Sequence, residues 1–158
     1  MFSVTFSMGP GLVLRLATET ASASISATNL AIERVDPLAS LIHAVCCLAS
    51  GTPDVSCRWP LEPGGHFIDL SRITEERCGI AVHSFADPDW LAGKSWLPVR
   101  GALVFGAAVP TDLAVTGFIK AFVDLGTGHA KDFERRWPWA FPETELSRLV
   151  DFWSRKNS

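Results

Sequence analysis

Three successive runs in residues 55–85 alternate apolar and polar side chains, and they are the firmest patterning in the chain. In the first, Val55, Cys57 and Trp59 fall on one face and Ser56 and Arg58 on the other, the period of a half-buried strand. Pro60 ends the pairing, and Glu62-Pro63-Gly64-Gly65 supplies a preset φ and two residues free to take positive φ, so a tight reversal is expected. A second strand follows over residues 66–71, a turn at residues 74–76, and a third run in which Cys78, Ile80 and Val82 oppose Gly79, Ala81 and His83. The pattern predicts an antiparallel meander.

The rest of the chain reads as extension or cover for that meander. Residues 2–6 and 12–16 alternate across a Gly9-Pro10-Gly11 turn, and residues 21–28 alternate small apolar residues with Ser or Thr, extending the same sheet. Asp36-Pro37 opens a helix whose stripe is Leu38, Leu41, Ile42, Val45 and Leu48, closed by Gly51 and Pro53, with His43 at its boundary. Residues 102–108 form a further buried strand. A second helix presents Leu113, Phe118, Ala121, Phe122 and Leu125, and Gly126-Thr127-Gly128 reads as its break rather than as a phosphate loop, because a helix precedes it. After residues 129–136, Pro142 starts a last helix with Leu146, Leu149, Val150 and Trp153 inward, Glu143 and Glu145 at its positive end and Arg155 and Lys156 at its negative end. The expected fold is α+β: one antiparallel sheet of about six strands covered by two to four helices, in the order strands, helix, strands, helices, as a single domain over residues 1–158.

Composition narrows the function. At 158 residues, 47% apolar and 20% charged, the chain can bury one substantial core. A net charge of -3 supplies no basic field, which argues against nucleic acid. No apolar run approaches the roughly 18 residues that cross a bilayer, so no membrane partner is expected. The apolar start lacks a preceding cation, is interrupted by Gly9-Pro10-Gly11 and contains Arg15, which does not suit a secretion signal. Cys46, Cys47, Cys57 and Cys78 show no CxxC spacing and read as small buried hydrophobes in a reducing compartment, giving a cytoplasmic address.

Candidate chemistry is sparse. Cys57 or Cys78 could be matched with His66, His83 and Asp69, yet alternation turns Cys78 and His83 to opposite faces and puts Cys57 in the core. Glu62, His66, Asp69 and His83 do not form a metal motif, and no cofactor or metal is expected. The irregular residues 86–99 hold Trp90 and Trp96 beside Asp87 and Asp89, where helix or strand periodicity does not demand burial. Tryptophan in such a place either folds its large ring back onto the sheet or serves as an interface anchor.

The helix over residues 36–49, the turn Trp59-Pro60-Leu61-Glu62-Pro63-Gly64, the strand ending His83-Ser84-Phe85, and Glu134-Arg135-Arg136-Trp137 followed by Phe141-Pro142 and Leu146 together resemble a group of small bacterial proteins found in toxin and immunity gene neighbourhoods. The resemblance covers about two-thirds of the chain. It implies an immunity protein that binds a cognate toxin and occludes its active or substrate-binding surface without chemistry of its own. Composition and location nominate Glu62, Asp69, Asp87, Asp89, Trp90 and Trp96 as partner-binding residues. The alternative is a small-ligand-binding domain or enzyme on the sheet face around His66, Asp69 and His83.

Overall fold

The computed structural model describes residues 1–28, 36–61, 64–86, 99–128 and 130–158. Among the described residues, seven strands and four helices follow one another as β1 (Phe2–Met8), β2 (Leu12–Thr18), β3 (Ser22–Ala27), α1 (Pro37–Ala49), β4 (Asp54–Pro60), β5 (Gly65–Arg72), β6 (Arg77–Phe85), β7 (Leu103–Pro110), α2 (Thr111–Gly128), α3 (Ala130–Arg136) and α4 (Glu143–Lys156). The class is α+β, and the meander of β4, β5 and β6 forms as consecutive antiparallel neighbours.

The strands divide into two antiparallel sheets, β1-β2-β3 and β4-β5-β6-β7, where the sequence pattern suggested one sheet of about six. A backbone hydrogen bond from Thr28 N to Pro60 O links the neighbouring edges β3 and β4. Large rings fill the interior that both sheets face: Phe6 lies 6.3 Å from Trp59 and 5.6 Å from Phe122 between ring centroids. Alternation specifies which face of each strand turns inward, but not whether two edges join into one ladder, so the division could not be read from period alone.

The inward residues follow the expected parity. Leu12, Leu14, Leu16, Ile25, Trp59, Ile68, Leu70, Ile80 and Val82 are all buried against the helices. Helix α1 begins as its sequence dictates: Asp36 caps it by accepting from Leu38 N at 3.0 Å, Pro37 occupies the first turn, and Gly51 takes φ 91° just beyond its end. The turn before β5 likewise uses positive φ at Gly64 and Gly65.

Helix α2 departs from expectation twice. It runs through Gly126 to Gly128 instead of breaking there. A Cβ at Gly126 would stand 2.8 Å from the Phe141 ring, so this glycine makes room for packing and keeps helical geometry. Leu113 points outward at 42% exposure, while the smaller Ala114 and Val115 take the inward places beside Phe118, Ala121, Phe122 and Leu125. The tail docks: Leu146, Leu149 and Trp153 are buried as the stripe of the last helix predicts, Trp137 is buried with them, Phe141 is packed against the core, and Trp153 Nε1 donates to Thr116 Oγ1 at 3.4 Å. No helix among the described residues is long and apolar enough to cross a membrane.

Candidate functional site

The four-stranded sheet turns Ser56, Arg58, Phe67, Asp69, His83 and Phe85 away from the main core, as the pairings Ser56 with Asp69 and Phe67 with His83 require. Asp69, on an interior strand, is the centre of this face. Arg100, just ahead of β7, grips its carboxylate with two prongs: Nε donates to Oδ2 at 2.9 Å and Nη2 to Oδ1 at 2.7 Å. Ser56 Oγ also donates to Asp69 Oδ1 and accepts from Arg100 Nη2 at 3.0 Å. The same guanidinium stacks 4.4 Å from the centroid of Phe67, whose ring lies 5.1 Å from Phe85.

Burial alone would raise the Asp69 carboxyl, but the hydrogen bonds from Arg100 and Ser56 and the Arg100 charge outweigh it, so Asp69 titrates below the ordinary 3.8. Its ionised form is therefore the one the face is built to hold. His83 Nδ1 stands 3.3 Å from Asp69 Oδ2, adding a titratable neighbour. His66 does not join them. It lies on the opposite face of β5, paired with Trp59, and burial lowers its affinity for a proton. The grouping of His66, Asp69 and His83 on one surface is thus corrected by strand parity.

Asp69 is the one nominated partner-binding residue that falls within the described structure; Glu62, Asp87, Asp89, Trp90 and Trp96 lie outside the described residues. Arg100 was missed from sequence. An interior-strand aspartate turned away from the core calls for a cation, but Arg58, Arg72, Arg77 and Arg100 were equivalent until the fold brought the last of these across 31 residues to it.

Between α1 and β4 runs an open groove of about 540 Å³ lined by Asp36, Ser40, His43, Ser56, Arg58 and Phe67 among others. It reaches the Asp69 cluster at Ser56. Cys47 Sγ lies 3.5 Å from His43 Nε2, on the exposed side of α1. The cysteines are all free thiols, Cys57 and Cys78 buried as expected, but Cys46 and Cys47 only half-buried. Burial, helped by the Asp69 charge, pushes the Cys57 thiol up to about 12, which makes it a poor nucleophile at neutral pH. Among the described residues no three His, Cys, Asp or Glu side chains are grouped to hold a metal ion.

No family model, curated protein or solved structure matches this chain.

Proposed function

We propose that this chain is an immunity-type protein that binds a cognate bacterial toxin and neutralises it by covering the toxin's active or substrate-binding surface. The observation that supports a binding role is Arg100: it is 45% exposed, yet fixed on Phe67 by Asp69 and Ser56. Arginine and aromatic residues held in one geometry before contact are the side chains that concentrate binding energy at interfaces. Val99 at 80% and Leu103 at 59% exposure flank it with apolar surface. In the sequence, the segment bearing Asp87, Asp89, Trp90 and Trp96 leads directly into Val99, and Glu62 falls between the residues of β4 and those of β5. In this reading those carboxylates face a basic or metal-bearing toxin site, the indoles anchor the contact, and the setting is the cytoplasm.

The test is co-expression with the product of the adjacent upstream gene, scoring growth rescue and isolating the complex. Rescue with a stable complex is expected, and Trp90→Ala, Trp96→Ala or Arg100→Ala should each weaken it by roughly 2 kcal/mol or more. Charge reversal at Asp87 or Asp89 should chiefly slow association, most at low salt. Absence of both rescue and complex would overturn the proposal.

A second reading, a small-ligand site, is favoured by the groove beside α1, whose volume of about 540 Å³ lies within the usual range for ligand pockets. Rescue without a stable complex would select it, as would loss of rescue in Ser40→Trp, which fills the groove.

A further inference from the structure

Among the described residues, no strand or loop backbone pairs with the outer side of β7. Thr111 N donates to Glu76 O, and β7 pairs with β6 through Val109 opposite Cys78, Ala107 opposite Ile80 and Phe105 opposite Val82. Hydrogen-bonded and non-bonded pairs alternate in an antiparallel ladder. Phe105, Ala107 and Val109 therefore direct their amides to β6, and Val104, Gly106 and Ala108 direct theirs outward. β7 is the last strand of its sheet, with no described strand beyond it.

Both ends of this edge are guarded. Pro110 has no amide hydrogen, Arg77 Nη2 donates to Ala108 O at 2.8 Å, and a register shift opposite Val82 and His83 disturbs the beginning. The middle has no such device. Residues 103–110 carry no charge, and Leu103, Val104, Gly106 and Ala108 are exposed. Unprotected edges of this kind pair with another strand.

We propose that β7 pairs antiparallel with β7 of a second copy about a two-fold axis at Gly106, joining two four-stranded sheets into one of eight strands. Two features select a second copy. The outward side chains are self-complementary in this register: branched Val104 faces Ala108 of the second copy, and Gly106 faces Gly106. The flanking charges are complementary too. Asp112 follows the strand and Glu75 and Glu76 occupy the adjoining turn, where Arg77 offsets only one of these carboxylates, while Arg100, although held by Asp69, keeps 45% of its side chain exposed at the other end. Antiparallel pairing therefore sets the net-negative end of each copy beside Arg100 of the other and away from its like. Parallel addition would set like beside like. Ala108 O has a second lone pair, so the Arg77 bond can persist while Val104 of the second copy donates. A two-fold contact of this type closes on itself and ends growth at the dimer.

This proposal does not rest on the toxin-binding reading, and its test needs no toxin. Light scattering over about a hundredfold range of concentration should show a particle of twice 17.2 kDa, since dimer population depends on concentration. Gly106→Pro removes an outward amide and leaves the β6 ladder intact, and Val104→Lys sets a charge on the edge. Each should weaken the dimer at least about tenfold while circular dichroism and melting of the monomer stay unchanged. Gly106→Cys should cross-link to itself on mild oxidation, because hydrogen-bonded partners lie about 5.5 Å apart between Cα atoms, within disulfide reach. The site has room, the nearest atom to an added Cβ being Leu103 Cδ2 at 3.4 Å. If Gly106→Pro unfolds, Val104→Lys and the cross-link decide. A monomer at every concentration overturns the proposal, as does a dimer indifferent to Val104→Lys with no cross-link. A monomer whose edge amides become protected only when a different protein is added overturns it in favour of heterologous strand addition.

Discussion

The two sheets treat their outer faces differently. On β1-β2-β3 the outward positions are Ser3, Thr5, Ser7, Arg15, Ser22, Ser24 and Ser26 with Val13 and Ala17, so this side is mostly small and polar and does little beyond meeting water. On β4-β5-β6-β7 the outward Phe67 and Phe85 are 8% and 7% exposed although neither belongs to the main core. They form a second, thin apolar layer roofed by Arg100. A solvated sheet face needs no such layer. The difference marks the larger sheet's outer side as organised surface, and it predicts a graded response to mutation.

The steepest loss should come from what both sheets share. Phe122 is fully buried and stacks on Phe6 and Phe118, so Phe122→Ala should cost about 3–5 kcal/mol in denaturant unfolding. Phe67→Ala empties only the thin outer layer and should cost about 1.5–3 kcal/mol. Equal losses would mean that the outer layer is as deeply built as the core, and would break the contrast.

Next comes Asp69→Asn, worth about 1 kcal/mol at neutral pH once screening at the partly exposed Arg100 is allowed for. Its signature is the pH dependence. The folded Asp69 carboxyl titrates below its unfolded value, so its contribution is complete above about 3.8 and disappears as pH falls through the folded value. The melting difference between wild type and Asp69→Asn should therefore be largest near neutrality and vanish in stronger acid. Asp36 is raised by burial and has the opposite slope, but both proteins carry it and it cancels in the difference. Smallest of all, Ser24→Ala on the three-stranded sheet should change stability by within about 0.5 kcal/mol. A larger effect there would show that this face too is specialised.

Local features were legible because a single residue's chemistry decides them. Asp36-Pro37 starts α1, Gly51 ends it, and parity sends Trp59, Ile68 and Val82 inward. Features that depend on distant company were not. Gly126 looks like a helix break until Phe141 is known to lie against it, and Leu113 looks like core until the helix phase is set by Ala114, Val115 and Phe118. Asp69 stands out in the sequence by its acidity and its place on a strand; the clamp that defines its state comes from Arg100. The division into two sheets was hidden for the same reason, since each strand's pattern is satisfied equally by one sheet or two.

The bond between Trp137 Nε1 and Asp36 Oδ1, 3.1 Å long, joins residues 101 positions apart in the chain. Both meanders, by contrast, are built from neighbouring strands and close over short loops. Closing so long a loop costs chain entropy before this single bond offsets it, so the tie is expected to form after the barrier to folding has been crossed. In kinetic terms the Asp36 to Trp137 tie is a brake on unfolding: Trp137→Phe should leave the refolding arm of a chevron plot nearly in place and raise the unfolding arm, shortening the lifetime of the folded chain more than it slows its formation.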